Sequence, residues 1–183
     1  MAVYTFTNLM DPQNTASGIS DFILLAAVAD FEADGIKCPE APFATPGDKV
    51  KITSPHVFKT DKAFAKIICA PEKNQLNVGS IGDTGFTKGD FNLEMFVPGS
   101  YAELHEAMGE YLNRPLIALV KDSNCGANQW YQLGCDCVFA NLKWDFSTGT
   151  TKDGVKGYKI SVTYQNGYIL LYDVAGGPEI LGD

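Results

Sequence analysis

The chain has 183 residues, of which 45% are apolar and 20% charged, with a formal net charge of −8. That is apolar content enough for one real core, and too little charge for a globally disordered chain. The acidic balance excludes a surface that attracts phosphate backbones: Lys143, Lys152, Lys156 and Lys159 are scattered among Asp145 and Asp153 and make no basic patch.

Residues 1–18 join strand-like Val3–Thr7 to Asp11-Pro12-Gln13-Asn14 and Ser17-Gly18, which reads as a short N-terminal strand or arm and a loop. The start, Met1-Ala2-Val3-Tyr4-Thr5, lacks the basic residues of a signal peptide, and the apolar run Phe22–Ala29 is too short to span a bilayer. That run, inside Ile19–Phe31, fits a buried strand or a buried helix, and its shortness favours the strand. From Ile36 to Lys49, Pro39, Pro42, Pro46 and Gly47 break regular structure and predict an extended loop or arm. Loops of that length are usually functional or flexible. Val50–Thr53 is a short alternating strand, and Ala63–Cys69 a buried one closed by Pro71.

Gly79, Gly82, Gly85 and Gly89 then precede a run in which Phe91, Leu93 and Met95 alternate with Asn92, Glu94 and Phe96, the two-residue period of a half-buried strand. The glycines match no phosphate-cradling pattern and read as turns. Gly99 to Arg114 is the plainest helix, over about residues 100–113. Ser100 and Glu103 have the spacing of a capping box, and Leu104, Met108 and Tyr111 recur on one side, away from Glu103, Glu106 and Glu110. Pro115 stops it. Pro115–Val120 is a buried strand, Lys121–Asn128 a turn, and Trp130–Phe146 one long strand or two, with Leu142, Trp144 and Phe146 on one face. After the polar loop Ser147–Gly157, Tyr158, Ile160, Val162 and Tyr164 alternate with polar residues. Asn166-Gly167 predicts a type I′ turn into a last strand, Tyr168–Tyr172, and residues 173–183 form a tail expected to be mobile. The order predicts a single, mainly β (α+β) domain over 1–183: an antiparallel sandwich or barrel with one flanking amphipathic helix and long loops.

Candidate chemistry is thin. Cys135 and Cys137, two apart on an expected strand, would share a face and could hold a metal with Cys125. A structural zinc site needs four ligands, however, and neither His56 nor His105 lies near in sequence, so the pair reads as packing beside Leu133 and Phe139. Five cysteines without compact disulfide spacing predict reduced, mostly buried thiols. The two histidines belong to no protease or metalloprotease motif and read as structural. The aspartates, among them Asp83, Asp90, Asp122 and Asp136, look like turn chemistry and follow no calcium-loop spacing. The expectation is a chain with no catalytic, cofactor or metal residues: not an enzyme.

From about Gly79 the layout resembles that of bacteriophage tail-tube proteins. The resemblance is carried by the strand Phe91–Val97, the helix Ser100–Asn113, the strand Pro115–Val120, the meander Trp130–Phe146 and the pair Tyr158–Tyr164 and Tyr168–Tyr172. It implies a β-sandwich that assembles into stacked rings or a tube, a homo-oligomer in a virion put together in the host cytoplasm. Its partners would be other tail or connector proteins, and neither sequence-specific nucleic-acid binding nor a membrane is implied. An acidic lumen would let DNA pass without adsorbing. The alternative is a β-sandwich that binds glycans or decorates a capsid, for which Trp130, Tyr131 and Trp144 would have to form an exposed row. An enzyme of unrecognised type is the third reading, with His56, His105 and Cys135/Cys137 as its handles.

Overall fold

The computed structural model describes residues 18–45, 47–71, 73–123, 130–150 and 154–182. The strand expected near the N-terminus, the turn over 124–128 and Cys125 lie outside them. Among the described residues, ten strands form two open sheets beside one α-helix, so the mainly β expectation holds and, of its two forms, the sandwich-like one.

The larger sheet has six strands in the order β2-β10-β7-β6-β1-β3. These are β1 (Ile19–Ala27), β2 (Lys51–Ile52), β3 (Ala65–Ile68), β6 (Leu116–Asp122), β7 (Trp130–Leu133) and β10 (Leu170–Tyr172). β2 and β10 run parallel; the other neighbours are antiparallel. Ile23, Leu25, Ala118 and Val120 face one core cluster and Leu24, Ala26, Ile117 and Leu119 the other, all almost fully buried. Burial on both faces is why these strands read as unbroken apolar runs, and it resolves Phe22–Ala29 as strand through Ala27, with a single 3₁₀ turn after it.

The smaller sheet, order β4-β5-β9-β8, is antiparallel throughout. It contains β4 (Gln75–Ile81), β5 (Lys88–Pro98), β8 (Asn141–Ser147) and β9 (Gly157–Asn166). Here alternation is strict. Phe91, Leu93, Met95, Val97, Tyr158, Ile160, Val162 and Tyr164 enter the first cluster. The opposite face is a polar ladder: Ser161 Oγ donates to Asn92 Oδ1 at 2.9 Å and Lys159 Nζ meets Glu94 at 3.3 Å. One solvated face produces the two-residue period that made these strands legible.

The helix α1 spans Ala102–Tyr111 and drives Leu104 and Met108 into the first cluster. Its expected capping box does not form. Tyr101 is the N-cap, without a side-chain cap bond, and Ser100 Oγ turns to His105 Nε2 at 3.0 Å. The meander Trp130–Phe146 is two strands in different sheets, with Leu116 and Ala140 exchanging backbone bonds at the crossing. Asn166-Gly167 makes no type I′ turn either. Neither residue has the positive φ that turn requires, and the chain there leaves β9 for β10 in the other sheet. The C-terminal segment, expected to be mobile, is fastened. Phe64 N–H donates to Glu179 O, Leu181 N–H donates to Phe64 O, and Val174 is buried. Among the described residues no helix is long and apolar enough to cross a membrane.

Candidate functional site

A buried polar constellation lies where the Pro-rich arm meets the connection between β7 and β8. At its centre is Gln132, 1% exposed on β7. Its Nε2 donates to Lys37 O at 3.1 Å and to Gly134 O at 3.0 Å. Its Oε1 lies 3.1 Å from His56 Nε2, while His56 Nδ1 accepts from Lys37 N–H at 3.0 Å. An amide N–H can only donate and an amide oxygen only accept, so these partners assign the imidazole proton to Nε2. Burial drives the His56 pKa down to about 4, against smaller opposing effects of its bonds to Gln132 and Gly35. The ring stacks on Tyr172 at 5.0 Å and meets Phe31 and Phe64 edge-on. His56 is therefore a neutral wall of the second cluster that holds the backbone of Lys37.

One residue beyond each clamped backbone stands a cysteine. Cys38 follows Lys37, Cys135 follows Gly134, and the two are joined as a disulfide with Cα atoms 5.9 Å apart, inside the ordinary range. This corrects the expectation of reduced thiols. It was invisible in the spacing because 97 residues separate the partners. Gly134 has φ +104°, and a Cβ there would sit 2.8 Å from Leu116 O, so the chain turns tightly as it leaves β7. Cys135 N–H donates to Val138 O at 2.8 Å. Cys135 and Cys137 consequently lie in a bend, not on a strand, and do not pack side by side: Cys137 is exposed. Asp136 lies between them, its N–H donating to Cys38 Sγ at 3.3 Å and its Oδ1 3.4 Å from that sulfur. The neighbouring Asp136 carboxylate raises the Cys137 thiol pKa. Cys69 is a buried free thiol whose pKa burial pushes up to about 12, which leaves it inert.

The other histidine makes a different set. Ser100 Oγ, His105 and the Tyr158 hydroxyl form a hydrogen-bonded chain, His105 Nδ1 bonding the phenol. The order resembles nucleophile, base and orienting group, with a tyrosine hydroxyl where a carboxylate would orient the base. It ties the N-terminal end of α1 to β9. His56 and His105 belong to separate clusters and do not converge.

The aromatic row expected of a glycan-binding face does not form. Trp130 is 6% exposed, and Trp144 packs on the first cluster with Nε1 donating to Met108 O at 3.0 Å. Tyr131 donates to Asp122 Oδ2 at 2.9 Å in a cleft of about 350 Å³ beneath β4, also lined by Leu76 and Val78. β4 itself borders the smaller sheet, and among the described residues no strand pairs with its outer edge. The hairpin from β4 to β5 carries Phe86, 85% exposed. No protein-family model matches the chain, and no curated protein or solved structure matches it either.

Proposed function

We propose that this chain is a structural, self-assembling subunit of a ring or tube, of the bacteriophage tail-tube kind, that forms part of a virion and offers DNA a passage. The observation that carries the reading is the character of β4. It is a border strand of seven residues, Gln75 to Ile81, with no charge and no proline, and with Val78 and Ile81 exposed. Monomeric proteins usually blunt such a border with lysine, proline or a covering loop, because unpaired backbone groups recruit another strand.

The opposite border, β8, also has seven residues. Successive strands of the smaller sheet alternate in direction, so β8 of one copy laid on β4 of the next continues the antiparallel pattern without a break. Such head-to-tail contacts close into rings when the rotation per copy allows. The net charge of −8 favours the passage of DNA over its adsorption. The layout of strands and a single helix supports the tail-tube form of the reading.

Negative-stain imaging and mass measurement of the concentrated chain are expected to show rings or tubes. The variant Val78→Lys/Ile81→Lys should abolish them, and Ile68→Lys, on the β3 border of the larger sheet, should leave them intact. A chain that remains monomeric at every concentration, or assemblies indifferent to the charges on β4, would overturn the proposal.

A further inference from the structure

We infer that the reduced chain binds one zinc-class divalent cation between Cys38, Cys135 and Asp136. Sγ of Cys38, Sγ of Cys135 and a carboxylate oxygen of Asp136 all lie within 4.8 Å of one another. Two thiolates on one zinc stand about 3.8 Å apart, from Zn–S bonds of about 2.3 Å at a tetrahedral angle. With the disulfide opened, Cα atoms 5.9 Å apart allow the two sulfurs to take up that spacing. Three protein ligands leave the fourth tetrahedral position to a water or an external ligand. Sulfur ligands select a thiophilic metal over calcium or magnesium.

The scaffold is built before any metal arrives. A single buried amide, Gln132 Nε2, bonds the carbonyls of Lys37 and Gly134, the residues immediately before Cys38 and Cys135. His56 fixes the Lys37 N–H from the other side. Both ligand-bearing backbones are thus held by the core, and the Asp136 N–H points at Cys38 Sγ at 3.3 Å. The disulfide and the metal are alternatives for the same two sulfurs. An external dithiol opens the S–S bond: the sulfurs gain two electrons and two protons, and the dithiol leaves as its own disulfide. Metal binding then releases the protons of the coordinating thiols. In either state the arm stays joined to the β7–β8 connection.

The test uses the full chain, reduced under nitrogen, freed of small thiols, and loaded with Zn²⁺ or Co²⁺ alone. One metal per chain should be retained through desalting. Co²⁺ should give the near-ultraviolet thiolate-to-cobalt band and the intense visible bands of a tetrahedral site. Cys38→Ser and Cys135→Ser should lose the metal, and Cys137→Ser should retain it. Asp136→Asn should lower affinity by more than about tenfold, the loss that even an outer partner of a metal site can cause. The unmutated chain, oxidised with diamide, should bind none, an arm that needs no substitution to fold. No metal retained by the reduced chain, or equal retention by the oxidised chain or by Cys38→Ser, would overturn the inference.

Discussion

The Pro-rich arm and the β4–β5 hairpin are both excursions from the sheets, yet they are held in opposite ways. The arm has three prolines and little regular structure around Cys38, but its base is fastened by buried side chains, Gln132 and His56, and by Cys135. The hairpin is regular up to Ile81, yet its tip carries Phe86 into solvent and its outer border meets no other described strand. Regularity and attachment are therefore separate properties. What immobilises an irregular segment is a partner in the core for its own backbone groups. What frees a regular one is a border without partners.

The sharpest way to break the contrast is to remove the fastening. Gln132→Ala should destabilise the chain by about 3–4 kcal/mol, measured by urea unfolding at neutral pH. It leaves the His56 Nε2 proton and the Lys37 and Gly134 carbonyls without the partners they have now, each at a cost of roughly 1–3 kcal/mol before relaxation and water entry.

Acid should act on the same clasp more gently. Unfolded, His56 takes a proton near its ordinary pKa of 6.5; folded, burial delays this to about 4. Between those values the unfolded chain binds more protons, so this contribution is intact above 6.5 and is lost as pH falls through the window. The full loss is roughly 3 kcal/mol, and His56→Gln should remove that part of the pH slope. Equal slopes for wild type and variant across pH 4–6.5 would show that the imidazole is not shielded from protons.

The hairpin side of this contrast was more legible in the sequence than the arm side. β5 and β9 declared themselves because one face meets water, so Phe91, Leu93, Met95, Tyr158, Ile160 and Val162 alternate with polar residues. The helix followed from its apolar spacing. The border status of β4 did not, since strand order is a property of the whole sheet. The clasp was hidden for a related reason: Lys37, His56, Gln132 and Cys135 come from distant stretches, and no local period links them. Cys135-Asp136-Cys137 was noticed, but a strand was expected where Gly134 turns the chain. The ligand that changes its meaning, Cys38, stood in a segment read only for its prolines.

A smaller effect probes how α1 is fixed against the first cluster. Trp144→Phe keeps a ring against the first cluster but deletes the Nε1 donor to Met108 O. It should cost about 1 kcal/mol, the net worth of one such bond, read as a lower urea midpoint without a change in m.

The smallest effect belongs to the hairpin tip, and its smallness is what gives it value. Phe86 is 85% exposed, so Phe86→Ser removes almost no buried surface and should move monomer stability by less than about 0.5 kcal/mol. If the ring does nothing beyond decorating a turn, the variant should also match wild type in sedimentation at every concentration. If the tip contacts a second copy, the variant should resist association while unfolding at the same urea midpoint. A large loss of monomer stability would show that the tip folds back on its own subunit, and the distinction between fastened arm and free hairpin would fail.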